Sequence, residues 1–112
     1  MMDDRELLEM AAKAAGLEVL WNVHGSHFDR RVVPEPIEPF SKWLAWRPLD
    51  NDGDALRLAV ELRFDIAINL YIVDVFSGEL DDFIRERCRD GDAANATRRA
   101  IVRAAAAIGR AM

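Results

Sequence analysis

Leu7-Leu8-Glu9-Met10-Ala11-Ala12-Lys13-Ala14-Ala15-Gly16 runs straight into Leu17-Glu18-Val19-Leu20-Trp21-Asn22-Val23-His24, and the change of rhythm between the two decides the fold class. In the first stretch Leu7, Leu8, Ala11, Ala14 and Ala15 recur at helical spacing, Asp3 and Asp4 stand ready as N-caps, and Gly16 is a natural stop. In the second, Leu17, Val19, Trp21 and Val23 alternate with Glu18, Asn22 and His24, as in a strand with one buried side. Helix and strand in direct succession predict an α+β domain.

Outward from this junction, Gly25-Ser26 reads as a hairpin turn and His27 to Val33 as the returning strand. Pro34-Glu35-Pro36-Ile37-Glu38-Pro39 should run extended, because proline disfavours helix in the residue before it. Phe40, Trp43, Leu44 and Trp46 suggest a short third strand or a lid on the core. Asp50-Asn51-Asp52-Gly53-Asp54 reads as a turn ending in an N-cap, followed by a helix with Ala55, Leu58, Ala59 and Leu62 on one stripe. Phe64 to Ile72 alternates as one long strand, Ser77-Gly78-Glu79 turns it, and Phe83 to Cys88 returns as an edge strand. Asp90-Gly91-Asp92 turns into a last helix, capped by Asp92, with Thr97, Ala100, Ile101, Ala104 and Ile108 on one face.

The expected order is α-β-β-(β)-α-β-β-α, with three helices packed on one face of a small antiparallel sheet. Residues 1–112 are expected to form a single domain, with Trp21, Leu58, Ile66, Ile68, Leu70, Ile101 and Ile108 in one core.

Composition narrows the class. Apolar residues make up 51% of the 112 and charged residues 31%, too apolar for a disordered chain and too charged for a membrane protein. The start, Met1-Met2-Asp3-Asp4-Arg5-Glu6, lacks the basic and apolar runs of a signal peptide, and Cys88 is the single cysteine. A cytoplasmic protein of a bacterial host cell is expected. The net charge is −5, split unevenly: 8 basic and 17 acidic residues up to Ile84, then 7 basic and 3 acidic from Arg85 onward. The sequence thus reads as an acidic body with a basic C-terminal element.

Three stretches carry a family resemblance: Leu7 to Gly16, Trp46-Arg47-Pro48-Leu49-Asp50-Asn51-Asp52-Gly53-Asp54-Ala55-Leu56-Arg57-Leu58-Ala59-Val60, and Ala96 to Gly109. Together they resemble a family of small, uncharacterised phage and prophage proteins whose middle motif begins Trp-Asn-Pro-Leu, more distantly the NinX proteins of phages. Here Arg47 replaces the usual asparagine. The resemblance implies phage origin and no particular activity.

Motifs for catalysis are weak. His24 and His27 flank a tight turn, but zinc needs three or four ligands, and Cys88 is the only soft addition. Asp50, Asp52 and Asp54 around Gly53 suggest a calcium loop, yet the position six residues after the glycine is Ala59. No Gly-x-Ser-x-Gly frame surrounds Ser26, and no phosphate-binding glycine loop exists. No cofactor, no metal and no enzymatic activity are therefore expected. Arg98, Arg99, Arg103 and Arg110 of the last helix suit phosphates, but no base-reading motif accompanies them, so direct nucleic-acid binding is not expected. Trp21, Trp43 and Trp46 are expected in or near the core, with Trp43 and Trp46 as an alternative partner contact.

There remain the carboxylates of Asp50, Asp52, Asp54, Asp74, Glu79, Asp81 and Asp82, expected in solvent-facing turns or strand ends. Grouped on one side of a rigid domain, such acids can occupy a basic nucleic-acid groove of another protein, since duplex DNA carries one charge per ~1.7 Å. The expected function is a non-enzymatic, phage-encoded inhibitor that binds a host protein or ribonucleoprotein complex. Its most concrete form is an anti-CRISPR protein blocking DNA recognition, present as a monomer or weak dimer. The alternatives are a phage accessory protein binding a replication or transcription factor, and a small metal-dependent hydrolase using His24 and His27.

Overall fold

The carboxylate of Asp3 accepts the N–H of Glu6 at 2.8 Å and so starts α1, Asp4–Ala15. Gly16 ends it at φ +70°, a left-handed conformation that costs glycine little, and Leu17 N–H folds back onto Ala12 O at 2.9 Å. The computed structural model describes residues 2–32 and 42–112. The expected extended Pro34–Pro39 segment, Val33 and Phe40 lie outside them.

Two three-stranded antiparallel sheets follow, with strand orders β1-β2-β3 and β4-β5-β6. The first holds β1 (Val19–Asn22), β2 (His27–Val32) and β3 (Lys42–Trp46). Trp21 pairs with Phe28 and Phe28 with Trp46, so three aromatic residues cross the sheet in one row. Trp21 and Phe28 meet edge to face at 5.0 Å, and the Arg5 guanidinium of α1 lies 4.5 Å above the Trp21 ring. After α2 (Asp52–Glu61) comes the second sheet, β4 (Asp65–Ile68), β5 (Ile72–Phe76) and β6 (Ile84–Arg87). A single helical turn, Arg89–Gly91, precedes α3, Ala93–Ala111. Mixed α+β architecture is as the sequence suggests, but the strands form two sheets rather than one. No helix among the described residues is long and apolar enough to cross a membrane.

The expected long strand Phe64 to Ile72 is instead a hairpin. Asn69 interrupts it: its side-chain oxygen accepts the N–H groups of Tyr71 (3.2 Å) and Ile72 (3.0 Å), and its own N–H reaches Ile72 O at 3.0 Å. Asparagine readily closes such turns by mimicking a backbone carbonyl. Ile68 and Leu70 are consequently 58% and 75% exposed, not core residues as expected, and fully buried Val73 and Val75 take their places. A second correction concerns α2, whose cap is Asn51, accepting Asp54 N–H at 2.9 Å; Asp54 sits within the first turn and caps nothing.

Packing converges on α3, which touches α1, α2, β5 and β6. Its buried face is made mostly of alanine, with Ile101, Val102 and Ile108 as the bulk. α1 runs alongside in the same direction: Asp4 meets Arg99, and Lys13 Nζ donates to Met112 O at 3.3 Å. At Gly109 the two backbones nearly touch, for a Cβ there would stand 1.9 Å from Met10 O. α2 lies parallel as well: at its start Arg98 holds Asp52 and the carbonyl of Leu49, and at its end Glu61 and Leu62 line a depression with Ile108 and Met112. The N-terminal ends of the three helices thus gather at one end of the molecule, where Asp4, Glu6 and Asp52 complement their dipoles.

Two substitutions test this core. Gly109→Ala should destabilise the fold by overpacking, about 1–3 kcal/mol or more, because a carbonyl rather than a flexible side chain occupies the space. Leu58→Ala should cost about 2–5 kcal/mol, while Leu70→Ala should stay within about 0.5 kcal/mol. Urea midpoints measure all three, and an undisturbed Gly109→Ala or Leu58→Ala variant would contradict the packing described.

Candidate functional site

The turn between β1 and β2 holds the histidine pair. Asn22 Oδ1 accepts the N–H groups of His24 and Gly25, both at 3.1 Å, and Ser26 takes φ +52°. His24 stays exposed. His27 turns inward: Nε2 lies 2.8 Å from Asp29 Oδ1, and Nδ1 lies 2.8 Å from Arg47 Nη2. A guanidinium can only donate, so Nδ1 must accept, and the ring proton sits on Nε2, donated to Asp29. Both nitrogens of His27 are committed in this arrangement. Among the described residues no three His, Cys, Asp or Glu groups converge as a metal site would require. Cys88 lies just after β6, with its Sγ 4.0 Å from Asn69 O.

Arg47 joins this turn to the middle motif. Its N–H donates to Asp54 Oδ2 at 2.9 Å, its carbonyl accepts from Asp50 (3.0 Å) and Asn51 (2.7 Å), and Trp46 and Pro48 beside it are buried. Arg57 grips the other oxygen of Asp54 at 2.8 Å. Trp46-Arg47-Pro48-Leu49-Asp50-Asn51 is therefore a strand-to-helix corner, and Asp54, 8% exposed, is its internal acceptor rather than the solvent-facing acid expected.

Asp74 departs from expectation in the same way. It lies mid-strand in β5, 8% exposed, directly across from Arg85 of β6, which binds it with two nitrogens at 2.7 and 2.9 Å. Hydrogen bonding from Arg85 holds its carboxyl below the usual aspartate range, against desolvation, which acts the other way, and with the aid of the guanidinium charge. Arg85 also lies over Phe83 at 5.0 Å, and the Phe83 ring meets Phe76 at a tilt with centroids 5.6 Å apart.

The other five acids are exposed but fall in two separate places. Asp50 and Asp52 stand at the helix N-terminal end, Asp52 paired to Arg98 at 2.6 Å. Glu79, Asp81 and Asp82 fall in the β5–β6 connection, where Glu79 lines a depression with Ile108 and Met112. Asp52 faces Ala94 and Arg98 at the other end of α3. Ala94 and Ile108 are separated by about 20 Å at 1.5 Å per helical residue. One acidic face made of seven residues does not form.

The basic helix is likewise absorbed. Arg98 binds Asp52 and Leu49 O, Arg99 binds Asp4 at 3.1 Å, and Arg103 binds Glu86 at 2.5 Å and Arg85 O at 3.0 Å; Arg110 remains exposed. Of the tryptophans, Trp46 is core, Trp21 half-buried, and Trp43 38% exposed on β3.

Sequence reasoning missed two features. One is an apolar groove of about 600 Å³ between the end of α1, β2 and α2, lined by Leu17, Arg30, Trp46, Leu56 and Val60. The other is the exposed apolar set on α2 and β4, Leu56, Val60 and Ile68. The signal for α2 was present, since Leu56 and Val60 lie four residues apart on the side away from Ala55, Leu58 and Ala59. Comparison with protein-family models, with curated proteins and with solved structures finds no match.

The Asp74–Arg85 pair has a defined pH signature. Because the folded carboxyl is depressed, its contribution is present above the unfolded aspartate value, about 3.9, and is lost as pH falls toward the folded value. Asp74→Asn should therefore lower the melting temperature at pH 7, and the gap to wild type should close in acid below about pH 4. A gap that stays constant across that range would show that the pair carries no net stabilisation.

Proposed function

We propose that this chain is a non-catalytic binding protein whose β5–β6 loop engages a basic surface of a macromolecular partner. The observation that carries the reading is the loop itself. Glu79, Asp81 and Asp82 lie within four residues, are exposed, and have no ion-pair partner among the described residues. Asp4, Asp29, Asp52, Asp54, Asp74 and Glu86 are, by contrast, tied to an arginine or histidine of the same chain. The loop also adjoins Phe76 and Phe83, each 41% exposed, whose rings meet in a tilted contact. Unneutralised acids beside a preorganised aromatic pair suit a cationic surface with apolar ground between its charges.

The most concrete partner is a CRISPR effector, whose DNA channel is such a surface, and the chain would then act as a phage inhibitor of DNA recognition. Asp50, Asp52, Asp54 and Asp74, once expected to share the contact, have structural tasks or stand apart, so the interface narrows to the loop.

Competition measures this directly. A purified effector–guide complex holding a labelled target duplex should release it on addition of the protein, with inhibition weakening steeply as salt rises. The triple variant Glu79→Lys, Asp81→Lys, Asp82→Lys should lose that effect while melting as the wild type does. Asp50→Lys should retain it. No release by the wild type, or equal release by the triple variant, would remove the basis of this reading.

A further inference from the structure

We infer that the free edge of β4, together with the outward face of α2, is a two-fold interface between two copies of this chain. Among the described residues β4 pairs with β5 on one side only, which leaves a row of backbone N–H and C=O groups on the other. Proteins usually protect such an edge with charges, prolines, bulges or a covering element. The opposite edge of the same sheet is protected: β6 reads Ile84-Arg85-Glu86-Arg87, and Arg103 takes the carbonyl of Arg85. β4 begins with Asp65, and the three residues after it, Ile66-Ala67-Ile68, carry neither charge nor proline.

The flanks of that edge are apolar as well. Leu56, Val60 and Ile68 are each more than half exposed, and a largely apolar cleft of about 340 Å³ runs between α2, β4 and α3, lined by Leu56, Ile66, Ile68 and Ile101 together with the paired Asp52 and Arg98. A second copy fits this surface better than a charged partner does. The chain carries a net charge of −5, so like copies repel across most of their surfaces. Around this patch the charges instead nearly cancel: Arg57 is paired to Asp54 and Arg98 to Asp52, and Arg63 stands among Glu61 and Asp65. A two-fold axis at Ala67 would pair Ile66 with Ile68 across it and Asp65 with Asn69, so no carboxylate faces another. The joined sheet would have six strands, with the apolar residues of both α2 helices beside the seam.

Sedimentation over a concentration series, from low micromolar upward, is the first measurement. Wild type should pass from monomer to dimer mass, and Ile68→Lys should remain monomeric with an unchanged circular dichroism spectrum. Val23→Lys, at an exposed position beside the first sheet, should dimerise as wild type does. Residues directly opposite across an antiparallel seam have Cα atoms about 4.5–5.5 Å apart, within disulfide reach. Ala67→Cys in a Cys88→Ser background should accordingly form a disulfide-linked dimer under mild oxidation. A wild type that stays monomeric at the highest concentration overturns the proposal. So does a dimer that Ile68→Lys leaves intact and Ala67→Cys fails to trap.

Discussion

The close approach of α1 to α3 at Met10 and Gly109 constrains everything around it. With no room for a Cβ at Gly109, the helices meet backbone to backbone, and the alanines along the same face of α3 keep them close. A slender central helix can be covered from several directions, and α1, α2, β5 and β6 all pack on it. The small residues supply little apolar area themselves. Bulk comes from elsewhere: Ile101 and Val102 on α3, Leu7 on α1, Leu58 on α2, Val73 and Val75 on β5, and the Trp21-Phe28-Trp46 row of the first sheet. Small residues set the distance, and large ones from every other element fill the space that results.

The same helix explains the uneven charge. An acidic body with a basic C-terminal element looks like a molecule arranged to meet two kinds of partner. Much of the complementarity is internal. Arg98, Arg99 and Arg103 project from the flanks of α3 to Asp52, Asp4 and Glu86, so the basic helix is held by the acidic elements that surround it. Partly exposed pairs of this kind contribute little stability each, but they fix which face of α3 each neighbour covers. Several acids that looked free in the sequence also serve helix N-termini, where the backbone already favours negative charge. Net charge along a chain is thus a poor guide to surface charge when both signs sit on elements that pack together.

How much of this was legible follows from the range of the interactions involved. Helix boundaries were readable because caps act within a few residues: Asp3, Gly16 and Asp92 mark their ends as expected. Asn51 and Asp54 both suit a cap, and only the geometry of the corner at Arg47 decides between them. The long strand from Phe64 to Ile72 failed because alternation continues unbroken through a short turn, and Asn69 could equally be an outward-facing strand residue. Read as one strand, the pattern points Ile68 and Leu70 inward. Asp74 and the Arg47–His27–Asp29 chain were illegible for another reason. Each depends on partners brought together by strand register or by the corner, 11 and 20 residues apart, which no local pattern records.

Among the described residues the second sheet carries two unengaged features, three carboxylates in its β5–β6 loop and an apolar edge at β4. These two features are geometrically linked. The loop follows Phe76, and Phe76 pairs with Asp65 at the start of β4. Two copies joined antiparallel along β4 would therefore carry their loops at opposite ends of the seam, facing away from the axis. A partner offering two basic sites at that separation would be held at both, the second contact forming at the high effective concentration created by the first. Three carboxylates on one loop make a small interface, and a small interface gains most from being doubled. Association of the chain with itself and engagement of a basic partner would then reinforce each other, because the charge-balanced edge used for one leaves the acidic loops of both copies free for the other.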